Sequence, residues 1–431
     1  MHADLFTAAL SHTRRGIQQS LTQHMSACDY RDFCLWMLEQ ETPQSDRWLE
    51  LMGVPQMVRL FLYLMKGVAR EQDWPHLIEC VVHVNLYQMY EVVSDNLAIG
   101  LARPVATDAH HEARRELLLG FNAAMVERLE GRSASSAALL EPLRPHAAPL
   151  SNFEQSLRPD IHRGLAAPYL ARNPTLELTA LERAIWPCLE ANIESCVALE
   201  RLSAEGPVAS LVREGLANRY RGVSALLLEP DMSFERRLRV GVDTILVTPM
   251  TAWYIGVLAR LYEEKGLESL VRDGLLQEVL DDSSFLLRLL NDVGTPLLRQ
   301  TAAEREALFE PLRNAAWADP DEPLADLLLR TSTAIPALSR VHKDVQHGEF
   351  NVCLHGLMDA PVSQSLEIFE TRLGEVARMF VERRERWESR LRRLRERLAH
   401  DAIEQLIHRF VVFHEKLYAN RYSEQRGEYA V

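Results

Sequence analysis

Apolar residues recur at three- and four-residue spacing along most of this chain, most clearly over 57–69, 76–101, 176–202, 239–264 and 366–380. Side chains with that period share one face of an α-helix, whereas a half-buried strand needs a period of two. Strand-like alternation is rare, and only 19 glycines punctuate 431 residues. The pattern predicts an all-α chain. Because 47% of the residues are apolar, a large core can be built and general disorder is excluded.

Two stretches break the helical rhythm. One is 102–152, with RSASSAALLEPLRPHAAPLSN, and the other is 315–335, with ADPDEPLAD. Both read as loops with short helices set into a single fold. The expectation is one helical domain over 1–431, with insertions at 102–152 and 299–338. No internal repeat is present. Residues 370–400 (ETRLGEVARMFVERRERWESRLRRLRERLAH) carry a narrow apolar stripe among Arg and Glu, which predicts a solvated helix lying across a bundle.

Lys plus Arg number 48 against 61 Asp plus Glu, a net charge of −13 that argues against a nucleic-acid partner. Six cysteines (Cys28, Cys34, Cys80, Cys188, Cys196 and Cys353) show neither a C-x-x-C pair nor zinc spacing. They read as reduced thiols and suit a cytoplasmic protein. The start, MHADLFTAALSHTRRG, has no continuous apolar run of the secretory kind. The most apolar long run, 51–68, contains Arg59, Lys66 and a proline, so no transmembrane segment is expected.

The stretch FLLRLLNDVGTPL (285–297) puts an amide and a carboxylate at the end of an apolar helix. Burying such groups without partners costs roughly 1–3 kcal/mol each. If the helix continues, Asn291 and Thr295 stand at i and i+4 on one face, where their oxygens suit a hard cation such as Mg²⁺. If it stops, Asn-Asp with Gly294 and Pro296 is a helix C-terminus. A second polar segment, SRVHKDVQHGEFNVCLHGL (339–357), brings Lys343, Asp344, Glu349 and Asn351. Glu91 and Asp95 stand one turn apart on an otherwise apolar helix, costly on a buried face unless a cation or proton neutralises them.

Here the chain resembles the class I terpene synthases, all-helical enzymes that ionise prenyl diphosphates. Asn291, Asp292 and Thr295 match the first half of that family's N-D-x-x-S/T-x-x-x-E motif. Lys343, Asp344, Gly348, Glu349 and Asn351 resemble its second half, and Ser363, Ser365 and Glu367 resemble the following helix opening. The chain departs from the family where Arg299 takes the place of the motif's acid, with roughly fifty residues between the halves. The resemblance implies that an insertion splits the motif and that Asp344 supplies the third ligand. It also implies a helical bundle of the class I terpenoid synthase type. Glu91 and Asp95 would stand on one wall, and Asn291, Thr295 and Asp344 on the other, holding Mg²⁺ ions that bridge the diphosphate.

Further roles follow from the same resemblance. Arg237, four residues before Gly241, corresponds to the family's arginine sensor, with Arg236 and Arg239 as competitors. Arg421 and Tyr422 correspond to its C-terminal Arg-Tyr pair. Arg237, Lys343, Arg421 and Tyr422 would bind the diphosphate, and Trp253 and Tyr254 would line the carbocation pocket. The implied activity is a Mg²⁺-dependent lyase of isoprenoid biosynthesis, and a homodimer is allowed. Two other readings stay open. His400, Glu404 and His408, with Glu79 and His83 elsewhere, have the four-residue spacing of an iron-dependent oxidase. A non-catalytic helical scaffold is the third.

Overall fold

In the computed structural model, the described residues are 2–39, 42–103, 109–156, 158–203 and 205–419. They are all-helical, with no strand; one isolated bridge joins Pro323 and Pro361. The helices gather in two compact units. Among the described residues, one unit takes those up to 99 and from 109 to 227, and the other takes 100–103 and 228–419.

In the first unit the helix Trp74–Leu97 is central and packs against the helices His2–His24 and Ile185–Ser203. Its buried side chains, including Leu77, Val81, Val84, Tyr87 and Tyr90, point to more than one side, as a helix enclosed by others requires. Most of the stretch 102–152, expected from the sequence to be an insertion, lies in this unit. Its helix His111–Leu129 buries Leu117, Phe121 and Met125 completely and belongs to the core of this unit.

In the second unit the helix Leu275–Val293 is central, packed by Val247–Leu261, Ala402–Leu417, Ser339–His347 and the long helix Val362–Arg395. The segment 299–338 likewise forms docked helices, Ala302–Ala318 and Leu324–Thr331. Phe309, Leu312, Leu324 and Leu328 are each 0% exposed there. Thirty-four residues at 1.5 Å each make Val362–Arg395 about 50 Å long. Its stripe of Phe369, Leu373, Val376, Phe380, Trp387 and Leu391 is buried, as the periodicity predicts. Its arginines are more than solvated. Arg383, Arg386 and Arg390 converge at 2.7, 3.3 and 2.6 Å on Asp282, which is fully buried on the central helix.

The stretch Phe234–Leu261 is apolar and long enough to cross a membrane by length and composition, but 67% of its apolar window is buried inside the fold. Residues 244–246 break it into the helices Phe234–Asp243 and Val247–Leu261. All six cysteines are free thiols.

Candidate functional site

The end of the central helix decides the role of the Asn-Asp pair. Leu275–Val293 stops at Gly294, whose φ of +87° with ψ of 151° is open essentially only to glycine. A new short helix, Thr295–Leu298, begins immediately beyond it. Asn291 and Thr295 therefore do not share a helix face, and the helix-stop reading of NDVGT is the one realised. Thr295 turns away: its hydroxyl donates to the Glu415 carbonyl at 2.6 Å, and its N–H donates to the Tyr418 carbonyl at 3.1 Å. Arg299, in the place of the motif's acid, is mostly exposed and lies 3.4 Å from the Glu415 carboxylate.

The two halves of the split motif do converge. The chain returns through the helix Ser339–His347, which packs on the central helix. That helix ends on Gly348 at φ +58°, where the Gly348 N–H donates to Val345 and the Glu349 N–H to Asp344, closing the last turn. Residues 100–103 of the same unit lie against this turn, with the Gly100 N–H donating to His347 and the Ala102 N–H to Gly348. Asn351 then bridges the halves. Its amide donates to the Asp344 carboxylate at 2.6 Å and to the Asp292 carbonyl at 2.8 Å. The Val352 N–H donates to the Asp292 carboxylate at 3.0 Å.

Fixed cations occupy the cluster. Arg340, one turn before Asp344, donates to the Asn291 side-chain oxygen at 2.6 Å and to its carbonyl at 3.0 Å. Lys343 lies 2.9 Å from Asp344 and also pairs with Glu349. Arg288 pairs with Asp292 one turn below it. Burial opposes the Lys343 ammonium, yet Asp344 and Glu349 hold its pKa above the ordinary lysine value. Burial pushes the Arg288 guanidinium down, with Asp344 and Glu349 pulling against it. Three acids (Asp292, Asp344 and Glu349) face three bases (Arg288, Arg340 and Lys343), so the cluster is balanced.

A Mg²⁺ ion does not fit this arrangement as it stands. To reach Asn291 it must displace Arg340, and to reach Asp344 it must displace Lys343 and Asn351. Either move strands a cation inside the unit, at a cost of several kcal/mol. Among the described residues no group of three or more His, Cys, Asp or Glu is placed to share a metal.

The acidic pair, in the first unit, is likewise spoken for. One nitrogen of Arg219 donates to Glu91 at 2.6 Å and to Asp95 at 3.0 Å. The two carboxylates do not face one buried cavity, because the Asp95 side chain is 67% exposed while Glu91 is buried. Burial, only partly offset by Arg219, pushes Glu91 up to about 7. Nearby, the Tyr87 hydroxyl bonds that of Tyr220 at 2.9 Å, and Tyr90 accepts from Ser20, so both tyrosines serve the core.

Trp253 and Tyr254 are buried and meet edge to face at 5.4 Å, packing as core aromatics. A cleft of about 460 Å³ opens elsewhere in the second unit, but Arg239, Asp243, Asp281 and Arg383 share its wall with Leu238 and Phe285. That lining is unlike an apolar carbocation pocket. Arg421 and Tyr422 lie outside the described residues. Ser365 bonds the Pro361 carbonyl at 2.8 Å, while Ser363 and Glu367 are exposed. His400 precedes the helix Ala402–Leu417 and gives its N–H to Glu264, so it does not continue the face of Glu404 and His408. His408 stacks on Trp387 instead. Glu79 and His83 belong to the first unit, with Glu79 exposed.

Arg237 behaves differently from the other cations. It is 4% exposed, and one terminal nitrogen donates to the carbonyls of Pro230 at 3.0 Å and Met232 at 3.2 Å. Its other terminal nitrogen is buried and finds no acceptor among the described residues. Burial, with the nearby positive charge of Arg372, lowers its pKa to about 10. Gly241, one turn on, makes room for Arg288, whose Cδ would lie 3.5 Å from an added Cβ. Arg288 also reaches Thr244 at the helix break, at 3.3 Å.

Sequence reasoning passed over Arg288, Arg340 and Arg219. A signal existed only for Arg288, an arginine inside an apolar run four residues before Asp292. Set beside protein-family models, curated proteins and solved structures, the chain matches none of them.

Proposed function

We propose that the second unit is a prenyl-diphosphate-binding body built on the lines of a class I terpene synthase, with fixed Arg and Lys side chains where metal ions would serve. The observation that carries this reading is the return of Lys343, Asp344, Gly348 and Asn351 to the Asn291–Asp292 end of the central helix across some fifty residues. The helix break after Arg237 and Gly241 meets the same end through Arg288 and Thr244. A balanced ion-pair cluster holds the scaffold in register. It supplies no open ligand set for Mg²⁺, so binding of the diphosphate, and not its metal-assisted departure, is the activity this geometry favours.

The test is calorimetric titration of the purified protein with geranyl, farnesyl and geranylgeranyl diphosphate, in EDTA and in Mg²⁺, with solvent extraction of hydrocarbons in parallel. The expected result is binding of at least one of them in EDTA and no hydrocarbon with Mg²⁺. Hydrocarbon formed only with Mg²⁺ restores the cyclase expected from the sequence. No binding under either condition removes the prenyl reading.

A further inference from the structure

The second unit has a place where, among the described residues, two buried or half-buried guanidiniums gather without an ion pair to a carboxylate. Arg372, on the long helix, donates through one nitrogen to the carbonyls of Cys353 at 3.2 Å and His355 at 2.7 Å. The His355 ring lies 2.7 Å from the Pro230 carbonyl, which also accepts from Arg237. Two guanidiniums are thus tied to one pair of loops, 229–233 and 351–356, by carbonyl oxygens, and Arg372 also lies over the Phe234 ring at 5.7 Å. Among the described residues neither makes an ion pair with a carboxylate. Glu375 bears on Arg372 and Asp231 on His355, each only at longer range. Burial, with Arg237 and Arg372 adding to it, pushes His355 below the ordinary histidine pKa, so its ring is neutral at pH 7 and adds no charge.

This contrasts with the cluster at Asp344, where every acid has its base. Carbonyl dipoles orient a guanidinium but leave its full charge in place, and a buried charge without a counter-ion is costly. Arg237 is more than nine-tenths buried and still has a terminal nitrogen with no acceptor among the described residues. Arg372 and His355 are half-buried, and Gly356 beside them is exposed, so the Arg372 side of the site can be reached from solvent, with Arg237 behind it.

We infer that Arg372 and the 351–356 loop complete, with Arg237, an oxyanion site that holds a phosphate group without a divalent cation. Two guanidiniums suit a tetrahedral oxyanion because each offers several donors in a fixed fork. The inference deepens the prenyl-diphosphate reading and rests on it for the organic part of the ligand. The phosphate part stands on the two arginines alone.

The experiment titrates the full-length protein with inorganic pyrophosphate in EDTA, with sodium chloride at matched ionic strength as the control and farnesyl diphosphate as a second arm. Wild type should bind pyrophosphate without metal. Arg372→Gln should weaken that binding at least tenfold, and Arg372→Lys should recover part of it. Arg378→Gln, at an exposed arginine of the same helix, should change nothing. Retained wild-type affinity in Arg372→Gln overturns the inference, as does binding that needs Mg²⁺ or a response to chloride equal to that for pyrophosphate. Should Arg372→Gln fail to fold, as read by circular dichroism, Arg372→Lys and the wild-type metal dependence decide alone. Pyrophosphate binding without farnesyl diphosphate binding keeps the oxyanion site and removes the isoprenoid.

Discussion

Replacing Asp344 by Asn separates the ion-pair reading of the buried cluster from the metal-ligand reading, because the two give opposite signs. The Asp344 side chain is 2% exposed, with Lys343 at 2.9 Å from one oxygen and the Asn351 amide at 2.6 Å from the other. In Asp344→Asn the new amide oxygen can still accept from Asn351, but its NH₂ group then faces the ammonium. A charge-assisted contact of this kind contributes about 1.5–3 kcal/mol, and Lys343 keeps its ion pair with Glu349. The expected loss is about 2 kcal/mol. In a body of this size, a melting point moves by about 2–4 °C per kcal/mol, giving a drop of about 4–8 °C. The drop should be the same in EDTA and in Mg²⁺. Because Asn351 also ties Asp292, Asn351→Ala should couple with Asp344→Asn in a double-mutant cycle by about 0.5 kcal/mol or more. The assay is thermal and urea unfolding of wild type, both single variants and the double variant. If Asp344 instead awaits a cation, removing its charge relieves repulsion in the apo protein. Asp344→Asn would then be as stable as wild type or more so in EDTA, and would lose a Mg²⁺ stabilisation that wild type shows. That pair of results refutes the ion-pair argument.

Glu91 gives a pH test. Its folded pKa of about 7 lies above the ordinary 4.5, so the folded state binds the extra proton and stability falls as pH rises from about 4.5 to 7. Glu91→Gln, which cannot ionise, should match wild type near pH 4.5 and exceed it above pH 7, by roughly 3 kcal/mol at most. Urea midpoints across that range check it, and a wild type more stable than the variant at pH 7.5 shows that the Arg219 pair outweighs burial. Gly294→Ala forces a side chain into φ +87° and sets a Cβ 3.1 Å from the Arg340 Cγ and 3.4 Å from the Tyr418 carbonyl. A loss of about 2 kcal/mol or more in chemical denaturation is expected, and a neutral substitution would show that the helix need not stop there.

The sequence alone determined the parts that depend on near neighbours. Helical period marks a face whatever packs against it, so the all-α class and the buried stripe of Val362–Arg395 were legible. The stop at Gly294 was legible as one of two alternatives, because a glycine followed two residues later by a proline ends helices through local backbone preferences. The tertiary structure decided what neutralises each buried charge. Arg219 reaches Glu91 from 128 residues away, and Arg340 reaches Asn291 from 49. Nothing in the local pattern at Glu91 or Asn291 distinguishes a side chain awaiting Mg²⁺ from one awaiting a guanidinium, since both need the same oxygens on the same face. The return path of the chain, 49 and 128 residues away, is what brings a guanidinium to each of these oxygens. The same holds for Arg237, whose FERRLRVG context fits a diphosphate-binding arginine and a solvated helix end equally, yet whose buried nitrogen finds no acceptor among the described residues once the loops at Pro230 and His355 are in place.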